Sequence, residues 1–419
     1  MAPFPEMHNP DQNEDGNEDA FANEEDEFLT EDDLQEIPDE EQNPEDEMIA
    51  DMDNMDLEEE PVKDDAAVVF SKHTDSVFAV CVDPAFSSYA LTGGEDDVAY
   101  VWKISSGEVF MECTGHKDSV TCVGFSHDST MAATGDMGGL IKVWSMASKE
   151  EIWSFEVSDL EWIEWHHAAH VLLAGTTMGD MWMWKIPSGE CKTFQGSGHS
   201  CTVGRIMPDG KRVVCGYEDG SVKFWDLKAA TALRTVAAHK GSITSLVCHH
   251  ENVIVMTGST DVTSKLINSQ SGKILTTFEC GASDAAPKTQ EDMEDEEEAG
   301  QEDSVEALGF SKDGQYMATG TLIGMLTIWD MQVLKPRFQC KHNAGIVRLC
   351  WHPSSPSVFT CTLDGVVRRW DARSGKCEGE WTGHMSDILD LALVKDGSCI
   401  ISASGDRTAR VFMLNSAAS

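Results

Sequence analysis

Histidine, hydroxyl and carboxylate side chains recur along this chain at spacings that a hydrolase could use. His73, Thr92 and Asp96 precede Trp102, and His342, Thr360 and Asp364 precede Trp370 in the same order. A base, a hydroxyl and an orienting carboxylate are the parts of a nucleophilic triad. A second candidate is His166-His167-Ala168-Ala169-His170, whose i, i+4 histidines would suit zinc if they shared a helix face. Context argues against both. A triad is assembled once in an enzyme, whereas this set returns at a fixed interval, as expected of buried polar groups that must satisfy one another. The histidine cluster has no cysteine or carboxylate at ligand spacing beside it, so neither a metal nor a cofactor is expected. No phosphate-cradling P-loop occurs, and Gly93-Gly94 and Gly138-Gly139 read as hairpin turns. Trp162, Trp165 and Trp182 read as core rather than as a stacking platform. Nothing in these residues supports an enzyme.

Tryptophan sets the interval. Trp102, Trp144, Trp184 and Trp225 are spaced by 42, 40 and 41 residues, and Trp329 and Trp370 by 41. Inside the long gap, Leu266-Ile267-Asn268 stands 42 residues after Trp225 where Phe-Trp-Asp is expected, and a step of 42 beyond Trp370 lands on Phe412. Eight units result. About 28 residues before six of these landmarks lie His73, His116, His199, His239, His342 and His384; units three and six lack the histidine. The intervening chain consists of short β-type runs bounded by Gly, Asp, Asn and Ser.

These landmarks resemble the WD-repeat family, with its Gly-His start (Gly115-His116, Gly383-His384) and Trp-Asp end, over residues 66–415. The resemblance implies an all-β, eight-bladed β-propeller with roughly 40–45 residues per four-stranded blade. It also implies a hydrogen-bonded tetrad of His, Ser/Thr, Asp and Trp within a blade. His73, Thr92, Asp96 and Trp102 match it in full, as do His342, Thr360, Asp364 and Trp370. Unit two carries Gly138 at the Asp position, unit four Cys215 at the hydroxyl position, and units five and eight end in Ile267 and Phe412. A WD-type repeat starts with the outer strand of the preceding blade. Ala67-Val68-Val69-Phe70 is therefore expected to supply the missing edge of blade eight, closing the ring by an N-terminal strand and leaving only short, protected edges.

The formal charge of −44 is concentrated in two places. Residues 1–65 hold 28 acidic side chains and one basic, and residues 281–304, inserted after unit five, hold ten and one. Neither segment has the apolar content to offset chain entropy, so a disordered acidic tail and a disordered acidic insertion flank and interrupt the propeller, with 416–419 a short second tail. The charge excludes direct nucleic-acid binding and attraction to anionic membranes, which need a basic face. It favours a basic protein partner. No apolar run is long enough for a membrane helix and no signal peptide is apparent. The thirteen scattered cysteines read as reduced thiols of a cytoplasmic chain, with nuclear or peripheral membrane residence as further expectations and a monomer as the expected state.

In the WD-repeat family, partners meet one mouth of the central channel. Contacts come from residues three and five beyond the His and from the residue before the tetrad Asp. By register these positions include Phe78 and Glu95 in unit one, Asp159 and Glu161 in unit three, Glu218 in unit four, Glu306 in unit six and Asp387 in unit eight. Such an acidic ring with an apolar patch suits a basic peptide segment, bound by charge-assisted bonds. The acidic tail, eight units and acidic insert together resemble a branch of the family whose animal members are associated with cell migration and angiogenesis. Its fungal members are associated with ribosome assembly, one as a dedicated chaperone of a basic ribosomal protein. The resemblance implies a chaperone of that type, with a signalling scaffold or a histone-type chaperone as alternatives.

Overall fold

Period-two sequence patterns build the fold. The computed structural model describes residues 63–281 and 303–414, with 32 strands and no helix among them. The expected disordered tails and most of the acidic insertion lie outside the described residues. The strands form eight four-stranded units, and the first strand, β1 (Val68–Phe70), belongs to the last unit. Blade one comprises β2 (Val77–Val82), β3 (Tyr89–Gly94), β4 (Ala99–Lys103) and β5 (Val109–Cys113). Blade two comprises β6 (Val120–Phe125), β7 (Met131–Asp136), β8 (Leu140–Ser145) and β9 (Glu151–Glu156). Blade three follows with β10 (Leu160–Trp165), β11 (Val171–Thr176), β12 (Met181–Lys185) and β13 (Glu190–Phe194). Blade four has β14 (Val203–Ile206), β15 (Arg212–Gly216), β16 (Ser221–Asp226) and β17 (Thr231–Ala237). Blade five has β18 (Ile243–Cys248), β19 (Ile254–Ser259), β20 (Thr263–Asn268) and β21 (Ile274–Glu279). Blade six has β22 (Val305–Phe310), β23 (Tyr316–Thr321), β24 (Met325–Asp330) and β25 (Lys335–Lys341). Blade seven has β26 (Ile346–Trp351), β27 (Ser357–Thr362), β28 (Val367–Asp371) and β29 (Cys377–Trp381). Blade eight is made of β30 (Ile388–Leu393), β31 (Cys399–Ser404), β32 (Ala409–Met413) and β1, in the order β1-β32-β31-β30.

Burial explains the patterns. The second strand of each blade is enclosed on both faces, and β7, β23, β27 and β31 are buried throughout, so they are runs of small and apolar residues. Outer strands face solvent, and β17 is exposed along almost its whole length. Apolar clusters fill the wedges between blades; Trp102 of blade one stacks on Phe70 of blade eight at 4.8 Å. The innermost strands touch one another all round the ring, including β30 against β2.

Closure follows the expectation from sequence. Val68 pairs with Val411, Val69 with Arg410 and Phe70 with Ala409. The ordered chain begins slightly earlier than composition suggests. Asp65 donates its N–H to Thr382 O at 2.8 Å and accepts the Thr382 N–H, and Asp64 pairs with Arg410. One turn assignment changes: Gly93 and Gly94 end β3 instead of forming a turn. A Cβ on Gly94 would lie 2.5 Å from His73 Nδ1, so tetrad packing demands the glycine.

Starting the chain at residue 73 should therefore cost far more than starting it at residue 61. Phe70 is fully buried, and its loss alone is worth about 3–5 kcal/mol. Denaturant midpoints of the two truncations check this, with the longer chain close to full length.

Candidate functional site

Two sets of polar residues follow from this frame: one inside the blades, the other on a channel mouth. In blade one, His73 Nδ1 meets Asp96 at 3.0 Å, His73 Nε2 meets Thr92 Oγ1 at 3.0 Å, and Trp102 Nε1 donates to the same hydroxyl at 3.3 Å. His239 with Asp261 and Thr257, and His384 with Asp406 and Ser402, repeat the arrangement without tryptophan. Burial alone would raise the Asp261 pKa, but bonds from Thr263, the Lys240 N–H and His239 prevail and hold it at about 2. All of these groups are occupied with one another, consistent with structural service.

Two assignments made by register are corrected. Blade two is complete despite Gly138: Asp136, two residues earlier, approaches His116 Nδ1 to 3.1 Å, while Thr134 takes His116 Nε2 at 2.7 Å and Trp144 at 2.9 Å. In blade seven the expected tetrad is incomplete. His342 and Trp370 meet Thr360, but Asp364 turns away to Arg368 at 2.8 Å, leaving His342 Nδ1 buried without a partner. A guanidinium offers Asp364 a charge-assisted partner that neutral imidazole cannot match. Blade three, which has no tetrad, is tied to its neighbours by indoles. Trp162 Nε1 donates to Cys201 O at 2.9 Å and Trp165 Nε1 to Gly124 O at 3.1 Å.

Antiparallel alternation places the loop before each innermost strand and the turn after each second strand at the same end of the channel. One backbone bond repeats there in every blade. The N–H of Glu95, Met137, Thr177, Glu218, Thr260, Leu322, Leu363 and Gly405 donates to the carbonyl of Ser76, Ser119, Asp159, Ser200, Ser242, Ser304, Gly345 and Asp387, respectively, at 2.8–3.0 Å. Glu95 and Glu218 are therefore equivalent donors in this bond and Asp159 and Asp387 equivalent acceptors; all four lie on one rim and are exposed. Phe78, Glu161 and Glu306 sit half-buried just inside, on the extra residue of a β-bulge, which re-aims a side chain out of the sheet. Glu161 accepts Ser200 Oγ at 2.6 Å, and Glu306 accepts Ser304 Oγ.

No Lys or Arg occupies these ring positions, though Lys117 and Lys240 stand exposed one residue after their tetrad histidines, Lys117 facing Glu156 at 3.2 Å. Deeper in the wall, Glu164 accepts the Ile206 N–H at 2.7 Å; burial pushes its pKa up to about 7, against the pull of Arg205 and that bond. Sequence reasoning missed three methionines on this face: Met137, Met178 and Met385 are 50%, 64% and 71% exposed. The signal was available, since Met137 stands at the Glu95 position and Met178 at the Asp96 position. The acidic insertion leaves and rejoins the body between β21 and β22, at this same mouth.

An eight-bladed, ring-closed array with such tetrads is a WD-repeat propeller, and the WD domain, G-beta repeat profile matches residues 66–103, 107–145, 189–226, 334–371 and 375–412. Within the WD-repeat proteins, the chain belongs to the family of angio-associated migratory cell protein. It is 49% identical to that protein of Homo sapiens over 352 residues, covering 83% of this chain and 80% of the relative. It is 25% identical to the ribosome assembly protein SQT1 of Saccharomyces cerevisiae over 359 residues, 78% of this chain and 79% of the other. Among solved structures, Chaetomium thermophilum Sqt1 bound to the N-terminus of the ribosomal protein L10 superposes with a TM-score of 0.73 at 22% identity. That match covers 84% of this chain and all of the other.

The orphaned histidine makes stability depend on pH. Burial, then the Arg368 charge, lowers the His342 pKa from 6.5 to about 4. Unfolded chain takes up this proton near pH 6.5 and folded chain only near pH 4, so stability is fully present above 6.5 and declines as pH falls towards 4. The loss from this residue is on the order of 3 kcal/mol. Because Glu164, His116 and His239 titrate in the same window, the contribution is read as a difference. The wild-type urea midpoint should drop relative to His342→Phe as pH falls from 6.5 towards 4, and a pH-independent difference would contradict the assignment.

Proposed function

We propose that this protein is a non-enzymatic chaperone or scaffold that captures a basic protein segment on its acidic mouth, acting in the cytoplasm as a monomer. One observation carries the reading: six carboxylates (Glu95, Asp159, Glu161, Glu218, Glu306 and Asp387) on rim and bulge positions, with no cation among those positions. Carboxylates on a rigid frame bind Arg and Lys by charge-assisted bonds without paying to order themselves. Phe78, Met137, Met178 and Met385 add a deformable apolar surface, since thioethers adapt to varied shapes. The segment they fit is extended, with cations separated by apolar side chains. The likeness to a ribosome assembly protein, and to an Sqt1 held with the N-terminus of L10, supports a client of ribosomal-protein type. The acidic insertion, rooted at the same mouth, would raise the local concentration of such a client and screen its remaining charge.

A second reading has its own support in the 49% likeness to angio-associated migratory cell protein: a scaffold for signalling in cell migration, binding through the blade sides or the acidic segments. A histone-type chaperone would use the same mouth as the first reading and differ in compartment.

Affinity purification at low and moderate salt, comparing wild type with Glu95→Lys/Glu218→Lys, separates these. Capture of one stoichiometric, very basic protein, weakened about 10–100-fold by the reversal, is expected, each 1.4 kcal/mol of lost attraction being tenfold. An unchanged partner profile would move binding away from the mouth.

A further inference from the structure

The opposite end of the channel, formed by the turns after each innermost strand, carries a side-chain cluster that the binding function does not use. His127 and Asp128 lie on the β6–β7 turn of blade two, and His170 on the β10–β11 turn of blade three. We propose that these three residues bind a divalent transition-metal ion, zinc by ligand type, that clamps blade two to blade three.

Their ligand atoms all fall within 4.8 Å of one another, and the set combines two imidazoles with one carboxylate. His170 Nε2 stands 2.9 Å from Asp128 Oδ2. The other oxygen, Asp128 Oδ1, is fixed by the Ser126 hydroxyl at 2.8 Å, the Thr130 hydroxyl at 2.8 Å and the Thr130 N–H at 3.2 Å. The turn therefore aims Oδ2 at the neighbouring blade before any ligand arrives. These bonds, with the pull of His170, outweigh burial and hold the carboxyl well below the usual range, keeping it anionic.

An ordinary inter-blade hydrogen bond would account for Asp128 and His170 alone. It leaves His127 unexplained: its Nδ1 is buried and has no hydrogen-bond partner, while its ring lies 5.3 Å from that of His170. An orphaned imidazole nitrogen beside an oriented carboxylate and a second imidazole is the arrangement a cation would satisfy. Zinc holds N and O ligands at about 2.0–2.2 Å, which puts neighbouring ligand atoms roughly 3.3 Å apart in a tetrahedron. The existing pair would open by a few tenths of an ångström and the His127 ring would swing inward. His127 also lines a cavity of about 540 Å³ at this opening, from which water can take the fourth position.

The ligand set differs from the one sequence spacing offers. His166, the i, i+4 partner of His170, is engaged elsewhere, with Nδ1 accepting the Ala168 N–H at 3.1 Å and Nε2 meeting Gly210 O at 2.9 Å. The carboxylate comes from a neighbouring blade 42 residues away, invisible to any local motif.

The test titrates full-length, metal-stripped protein with Zn(II) by calorimetry and with Co(II) by visible absorption. One saturable equivalent is expected, with the absorption of a four-coordinate N/O site and a metal-dependent rise in thermal midpoint, since the ion binds only the folded arrangement. His127→Leu/His170→Asn should weaken that equivalent by about tenfold or more, while His167→Ala, an exposed neighbour outside the set, should leave it unchanged. Thermal midpoints without metal confirm that the variants fold. If the double variant does not fold, Asp128→Asn decides, because its amide oxygen still serves Ser126 and Thr130 but lacks the charge. The proposal is overturned if no single equivalent saturates, or if the folded ligand variant binds as wild type does.

Discussion

Pairing of β1 with β32 is the constraint on which the rest depends. Eight four-stranded sheets standing around an axis leave one inner wall and sixteen loop clusters only if the ring shuts. Three residues at one end of the chain complete the sheet made by the other end, and Phe70 slides under Trp102 so that the first and last blades share a core. Asp64 and Asp65 reinforce the seam by holding Arg410 and Thr382. The seam joins chain segments more than 300 residues apart, so its closure carries a larger loop-entropy cost than pairing within any one blade.

Each blade meets the same difficulty, that polar backbone and side chains must be buried where the sheets converge, and the blades solve it differently. Tetrads do so in blades one and two, and tetrads without tryptophan in five and eight. Blade three uses two indoles that donate to carbonyls of its neighbours. Blade seven trades its Asp364–His342 bond for an ion pair with Arg368, and the cost appears as an unpartnered imidazole nitrogen. A repeat scaffold tolerates such exchanges because each blade contacts only its neighbours.

Most of the architecture was legible because it depends on periodicity. Tryptophan spacing, with Ile267 and Phe412 standing in for two of the tryptophans, counted the blades. The resemblance to WD repeats, which start with the outer strand of the preceding blade, implied the closing strand. What local reading misjudged depends on competition between side chains. Gly138 stood at the aligned Asp position, yet Asp136 reaches the same nitrogen from one strand end further back. Asp364 stood in register, yet Arg368 outbid His342 for it. Glu95, Asp159, Glu218 and Asp387 lie where a backbone bond repeats in every blade, independent of side chain, which is why register could name those positions. Exposed Met137, Met178 and Met385 escaped notice because methionine is ordinarily a core residue, and only their loop positions mark them otherwise.

The two ends of the channel thus differ in chemistry, exposed rim carboxylates and methionines at one and the His127, Asp128 and His170 cluster at the other. A rigid frame fixes the first set in space, which makes its role open to direct observation. Carbodiimide labelling of surface carboxylates, read by mass spectrometry on the full chain with and without an Arg/Lys-rich peptide interrupted by apolar residues, would test it most directly. The account predicts protection of Glu95, Asp159, Glu218 and Asp387, with Glu108 and Glu190 at the far end of the blades labelled as before. Equal labelling of the rim in both states, or protection confined to the outer strands, would contradict it.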